Sequence, residues 1–184
     1  EVQNTDLAIK NYKKIESSST YFPDSVVHAA FLYRKKQDLD SAEVLLKKSI
    51  ALRDDVPQFY AFYASVLDEK KEYKDGVNML LGAIKKFPDS TQLHFYLGSM
   101  YDRIGKTGET ISEMRKVLAM DGDHVQALNY LAFTFAESGQ NLEEAEQLAR
   151  KAMKLQPKDG YILDTVGWVL FKQGRVEDAI QYLE

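Results

Sequence analysis

Residues 128–157 read LNYLAFTFAESGQNLEEAEQLARKAMKLQP, and residues 162–184 read ILDTVGWVLFKQGRVEDAIQYLE. In both, apolar residues return every three or four positions, a glycine interrupts them at Gly139 or Gly174, and a second run resumes the same spacing. This is the pattern of two amphipathic helices joined by a tight reversal, with glycine supplying the left-handed stop. Superposed, Ala132 meets Gly167, Phe135 meets Leu170 and Ala145 meets Ala179.

Moving outward, the four prolines fall at boundaries. Pro23 and Pro57 lie 34 residues apart, while Pro88 and Pro157 close the similar strings KKFPDS and KLQPKDG. Proline is tolerated in the first turn of a helix or just past its end, and not inside. A search for self-similarity at this spacing divides the chain into blocks at 23–56, 57–90, 91–124 and 125–159, the last with one extra residue, and an unfinished 160–184. Residues 1–22 match the second helix of one more, truncated block, with the helix centred between Leu7 and Ile15.

Residue size supports this frame. Ala30, Ala64, Gly98, Ala132 and Gly167 share one slot, and Ala8, Ala42, Gly76, Thr110, Ala145 and Ala179 share another twelve residues later. Small residues recur where helices approach closely, and large ones flank them at Tyr33, Leu67, Tyr101, Phe135 and Leu170. Between the two slots, Gly105, Gly139 and Gly174 mark the reversal, with Gln37 and Lys71 in the other two blocks. No alternating strand pattern of convincing length occurs. The chain is predicted to be all-α.

This pattern resembles the tetratricopeptide repeat (TPR) family, and the resemblance covers essentially the whole chain. It implies an alpha-alpha superhelix, a solenoid of antiparallel helix pairs. Departures are local: His94 stands in a large apolar slot, Thr110 replaces an alanine, Asp54 and Gly122 replace the closing proline, and one residue is inserted after Gly139. ALNYLAFTFAESG and DGYILDTVGWVLFKQGR resemble the C-terminal repeats of bacterial TPR proteins, including Gram-negative envelope lipoproteins. That narrower likeness implies an anchor or export signal upstream of Glu1 and favours the envelope or periplasm over the cytoplasm. The first segment lacks the apolar centre of a signal peptide, and the chain begins without methionine.

In the family, ligands lie on a concave face lined by first helices. Matching slots put Phe31, Phe62, Phe95, Tyr96, Asn129, Tyr130, Phe133, Tyr161 and Trp168 on or beside it, together with Arg34, Ser65, Ser99 and Asp164. Aromatics offer large contact area at low rotamer cost. The competing reading is that they pack between helices. Family members that grip acidic chaperone tails use converging lysines, asparagines and arginine, but the corresponding slots here hold His28, Phe31, Gln58, Phe62, Gln92 and Tyr96. No strong recognition of a C-terminal acidic peptide is expected.

A formal charge of −4, 45% hydrophobic residues and 28% charged residues describe an ordinary globular chain. Nothing in this balance calls for nucleic acid as a partner, and no apolar run approaches the roughly 20 residues needed to span a bilayer. There is no cysteine, hence no disulfide, thiolate site or cysteine nucleophile. The basic pairs Lys13-Lys14, Lys47-Lys48, Arg115-Lys116 and Arg150-Lys151 sit late in second helices, where cations complement the dipole. GKTGET at 105–110 lacks the earlier glycine and the strand of a phosphate loop, and DGDH at 121–124 lacks the later ligands of a calcium loop. His28, His94 and His124 are unpaired in spacing, and His94 reads as a packed core residue. No cofactor, metal site or catalytic set is indicated. The expected function is a non-enzymatic scaffold that binds a protein or peptide, as an envelope adaptor. The alternatives are a cytoplasmic adaptor in a signalling or motility assembly, or the repeat segment of a larger enzyme. Val176, Ile180 and Leu183 lack a capping helix in sequence, so self-association through that end is also expected.

Overall fold

A computed structural model describes residues 2–183, with the side chains of residues 2, 3 and 183 excepted. Leu183, one of the three apolar residues expected at the uncapped end, therefore has a side chain outside the described residues. Every element among the described residues is helical, and the chain divides after Gly105 into two compact units.

The first unit contains α1 (Val2–Tyr12), α2 (Phe22–Lys35), α3 (Leu39–Leu52), α4 (Pro57–Glu69), α5 (Tyr73–Lys86) and α6 (Thr91–Arg103). Each helix packs on the next, and α2, α4 and α6 also touch one another in series. The even-numbered helices thus form one close-packed row. α1 ends at Tyr12, short of the expected Ile15. The Ser17, Ser18, Ser19 and Thr20 run that follows favours turns, because hydroxyls compete for backbone groups.

Helix starts follow from local chemistry. Pro23 and Pro57 sit in first turns, and the Asp38 carboxylate and Ser90 hydroxyl accept from the backbone N–H of Ser41 and Leu93 at 3.1 and 3.4 Å. Pro88 lies just past the end of α5. Gln37, Lys71 and Gly105, which end α2, α4 and α6, all turn left-handed, with φ of 61°, 61° and 76°. The core under the row is filled by Phe59, Leu46, Leu67, Leu80, Leu93, Leu97 and Met100, with Ala30, Ala42 and Ala64 at the close approaches.

Two polar groups in this core are satisfied in matching ways. The Tyr60 hydroxyl donates to the Asp54 carbonyl at 3.1 Å, and His94 Nε2, in the same repeat slot, donates to the Pro88 carbonyl at 2.9 Å. His94 is buried, so the departure from an apolar residue is compensated by a bond to the preceding turn. The buried Glu43 takes a hydrogen bond from the Tyr63 hydroxyl at 3.1 Å and pairs with Lys47 at 2.6 Å and with Lys70.

The second unit contains α7 (Thr107–Met120), α8 (Val125–Ser138), α9 (Leu142–Leu155), α10 (Gly160–Lys172) and α11 (Val176–Leu183). Here α8 and α10 touch across the pairs they begin. Gly139 and Gly174 take left-handed φ of 66° and 80°, and the residue inserted after Gly139 is absorbed by a second left-handed residue, Asn141, at φ 50°. The DGDH string ends one helix and starts the next: Asp121 caps α7, and His124 Nδ1 accepts from the Ala127 N–H at 3.2 Å to open α8. Asp159 caps α10 through bonds from Tyr161 and Ile162. Ala132, Ala145, Ala149, Ala152 and Ala179 are buried where helices cross, and Thr110, in an alanine slot, returns its hydroxyl to the Lys106 carbonyl.

Candidate functional site

The sequence-derived residues are placed in two groups, one per unit. In the first unit, Phe31 lies on α2 with 52% of its surface exposed. Phe62 on α4 is half-buried against the core, and on α6 the half-buried Phe95 and Tyr96 meet edge-on at 6.2 Å. Burial pushes the Tyr96 hydroxyl up from its ordinary range. An open hollow of about 570 Å³ is lined by Phe31, with Arg34, Lys35, Gln37, Leu39 and Glu69. Arg34 reaches across it from α2, its Nε donating to Glu69 at 2.9 Å, so the carboxylate there already has its cation.

In the second unit, α8 and α10 frame a hollow of about 300 Å³ lined by Asn129, Tyr130, Phe133, Tyr161, Asp164 and Thr165. Phe133 and Tyr161 are 45% and 83% exposed. The Asn129 Oδ1 is buried and has no hydrogen-bond partner. The Thr165 hydroxyl spends its proton on the Tyr161 carbonyl at 2.9 Å. Asp164 is exposed and forms no ion pair among the described residues.

Trp168 sits differently. Its indole N–H donates to Glu137 at 2.6 Å, its ring stacks on Phe171 at 5.4 Å, and Lys172 Nζ lies 4.9 Å from the ring centroid. It is half-buried and held on three sides, whereas Phe133 in the matching slot of α8 is held by no such set.

The buried hydroxyls of Ser25, Ser49, Ser65, Thr134 and Thr165 each donate back to a carbonyl of their own helix. Among the described residues no three acidic, histidine or cysteine side chains cluster to hold a metal, and no helix is long and apolar enough to cross a membrane.

No family model matches the chain. A TPR repeat-containing protein of Pseudomonas aeruginosa is 26% identical over 183 residues, spanning 100% of this chain and 31% of that protein. The chain thus spans about a third of the length of that relative. Among solved structures, a thermophilic TPR protein of Thermus thermophilus superposes with a TM-score of 0.72 at 12% identity, covering 87% of each chain. YrrB, described as a TPR protein with an unusual peptide-binding site, superposes with a TM-score of 0.67 at 15% identity over 95% of this chain and 88% of its own.

The chain has the tetratricopeptide-repeat fold. In such a helix-pair array the first helices of successive repeats are the ones that touch, and α2, α4 and α6 in one unit and α8 and α10 in the other do so here. Sequence reading placed Asp164 on this TPR face without giving it a role, and it passed over Glu137 and Thr165. Glu137 carries a signal in retrospect, being four residues beyond Phe133 and eight beyond Asn129 on one helical stripe. Thr165 carries none, since only its helix rotation brings it to the hollow.

Proposed function

We propose that the chain is a non-enzymatic scaffold that holds an extended segment of a partner protein against its first-helix faces, in the repeat frame 23–56, 57–90, 91–124, 125–159 and 160–184, with residues 1–22 as a truncated repeat. The observation that carries this reading is the exposure of Phe31, Phe133 and Tyr161 beside hollows, on helices that bury other side chains in the core. Exposed aromatics at the rim of a hollow are the residues that supply most binding energy in protein recognition. The peptide-binding description printed for YrrB is consistent with the same use of the fold. Phe62, Phe95 and Tyr96 support the first face, and Asn129, Tyr130 and Trp168 support the second. An envelope adaptor and a cytoplasmic one would use these faces alike.

Selection of a displayed random-peptide library on the whole chain tests the reading. Enriched peptides should bind at least tenfold more weakly to Phe133→Ala/Tyr161→Ala, or to Phe31→Ala, with helical circular dichroism unchanged. Failure to enrich any peptide, or enrichment of peptides indifferent to all nine aromatic and amide residues, would sink it.

A second reading concerns α11, where Val176 and Ile180 are 49% and 46% exposed on an eight-residue helix. They offer an apolar edge for self-association. Light scattering should detect association that Ile180→Glu abolishes, and a monomer at all concentrations would remove this reading.

A further inference from the structure

We infer that the hollow between α8 and α10 receives an arginine side chain of the bound segment. This inference rests on the binding-face reading above and adds a chemical identity to the ligand.

Three side chains at this hollow, Asn129, Asp164 and Thr165, bring acceptor oxygens to it. The Asn129 Oδ1 is buried and unpartnered. A buried acceptor left without a donor costs about 1–3 kcal/mol, which a ligand donor would recover. Thr165 has given its proton to the Tyr161 carbonyl, so its oxygen faces outward only as an acceptor. Asp164 adds an exposed carboxylate, and no lysine, arginine or histidine lines the hollow. A ligand must therefore bring donors and positive charge.

Geometry narrows the cation. Asn129 and Asp164 each stand three residues before a small residue, Ala132 and Gly167, and so hold the same register on two touching helices. Both residues line the same hollow. A planar guanidinium, with five donors in a fork, can serve both at once, whereas an ammonium is a compact point charge that binds its hydration more tightly. The flanking Phe133 and Tyr161 rings are exposed and offer faces over which a guanidinium stacks. A volume of about 300 Å³ is at the lower end for ligand pockets and suits one long side chain rather than a cofactor.

The first unit gives an internal comparison. On its own first-helix face the chain supplies both halves of an arginine–carboxylate pair, Arg34 and Glu69. The second unit supplies the carboxylate and the aromatic rim, and leaves the arginine to the partner.

The test uses the whole chain, isotopically labelled, titrated with acetyl-Ala-Ala-Arg-Ala-Ala-amide and with its twin carrying citrulline, which keeps the shape and loses the charge. The arginine peptide should shift the Asn129 side-chain amide and the backbone resonances of Tyr161 and Asp164, and the citrulline peptide should bind at least fivefold more weakly. Asp164→Asn, a near-isosteric change at an exposed helical position, should weaken arginine binding to the citrulline level. Equal binding of the two peptides, no shift with either, or indifference to Asp164→Asn would each overturn the inference. Library peptides that depend on Phe133, contain no arginine and ignore Asp164→Asn would overturn it while leaving the binding-face reading intact. Enriched peptides indifferent to all nine residues of the two faces would remove both.

Discussion

A Cβ placed on Gly76 would stand 2.2 Å from the Sδ of Met100 and 2.4 Å from its Cε, so α5 and α6 meet at a point where a side chain is missing. Glycine fills this slot because methionine fills the one opposite. The matching position of Met100 in the preceding block is Val66, and there the facing slot holds Ala42.

Gly76→Ala should therefore gain about 1 kcal/mol of helix propensity and lose about 1–3 kcal/mol to overpacking, because Met100 is fully buried and must turn away. The expected net is a loss of up to about 2 kcal/mol by urea denaturation. With Met100→Val in the same chain the alanine should become neutral or favourable. Additive effects of the two changes would show that the contact does not set the packing.

Gln37 and Lys71 hold φ of 61°, a conformation that glycine adopts at the equivalent Gly105, Gly139 and Gly174. A side chain there costs about 1–2 kcal/mol, and glycine gives back about 0.5–1 kcal/mol through the greater freedom of the unfolded chain. Gln37→Gly and Lys71→Gly should each stabilise by about 0.5–1 kcal/mol, raising Tm by about 1–4 °C. A fall in Tm would mean that their side chains contribute more than the strain costs.

These five reversals were readable from sequence because a left-handed stop needs a fixed place in a repeat, and alignment shows the place even where glycine is absent. The helix pairs and the small-residue slots were readable for the same reason. Other features depend on what lies across a contact, which no single block displays. His94 reads from the sequence as a packed core residue, but the Pro88 carbonyl that takes its hydrogen bond does not. Asn141 absorbs an insertion by a second left-handed turn that its residue type permits but does not announce. At the candidate site, the aromatic stripe was visible, whereas the unpartnered Asn129 oxygen and the uncompensated Asp164 emerge only when α8 and α10 are set against each other.

Glu43 links folding to acidity. Burial alone would raise its pKa, but hydrogen bonds from Lys47, Lys70 and Tyr63 outweigh that and hold it at about 2, against an ordinary 4.5. A depressed folded-state pKa contributes stability that is present above about pH 4.5 and is lost as pH falls towards 2. The loss should be on the order of 2–3 kcal/mol. Unfolding free energies from urea titrations at pH 6 and pH 3 should differ by about 2 kcal/mol more in the native chain than in Glu43→Gln, which no longer titrates. Equal acid sensitivity of the two would place the linkage elsewhere.

Trp168 is the one tryptophan in the chain, so its emission reports a single place on the second proposed face. The indole N–H bonded to Glu137 at 2.6 Å and the ring stacked on Phe171 fix its orientation. Glu137→Ala removes a partly exposed hydrogen bond and should cost about 0.5–1.5 kcal/mol. It should also shift the emission to the red as the indole turns towards water. Phe171→Ala should cost a similar amount, about 0.5–1.5 kcal/mol beyond the area lost, since an offset stack is removed. The contrast lies with Phe133→Ala, which removes an exposed ring on α8 and should leave stability within about 0.5 kcal/mol and the emission maximum unchanged. If Phe133→Ala were instead the most destabilising of the three, Phe133 would be a packing residue and the second face would lose its principal aromatic.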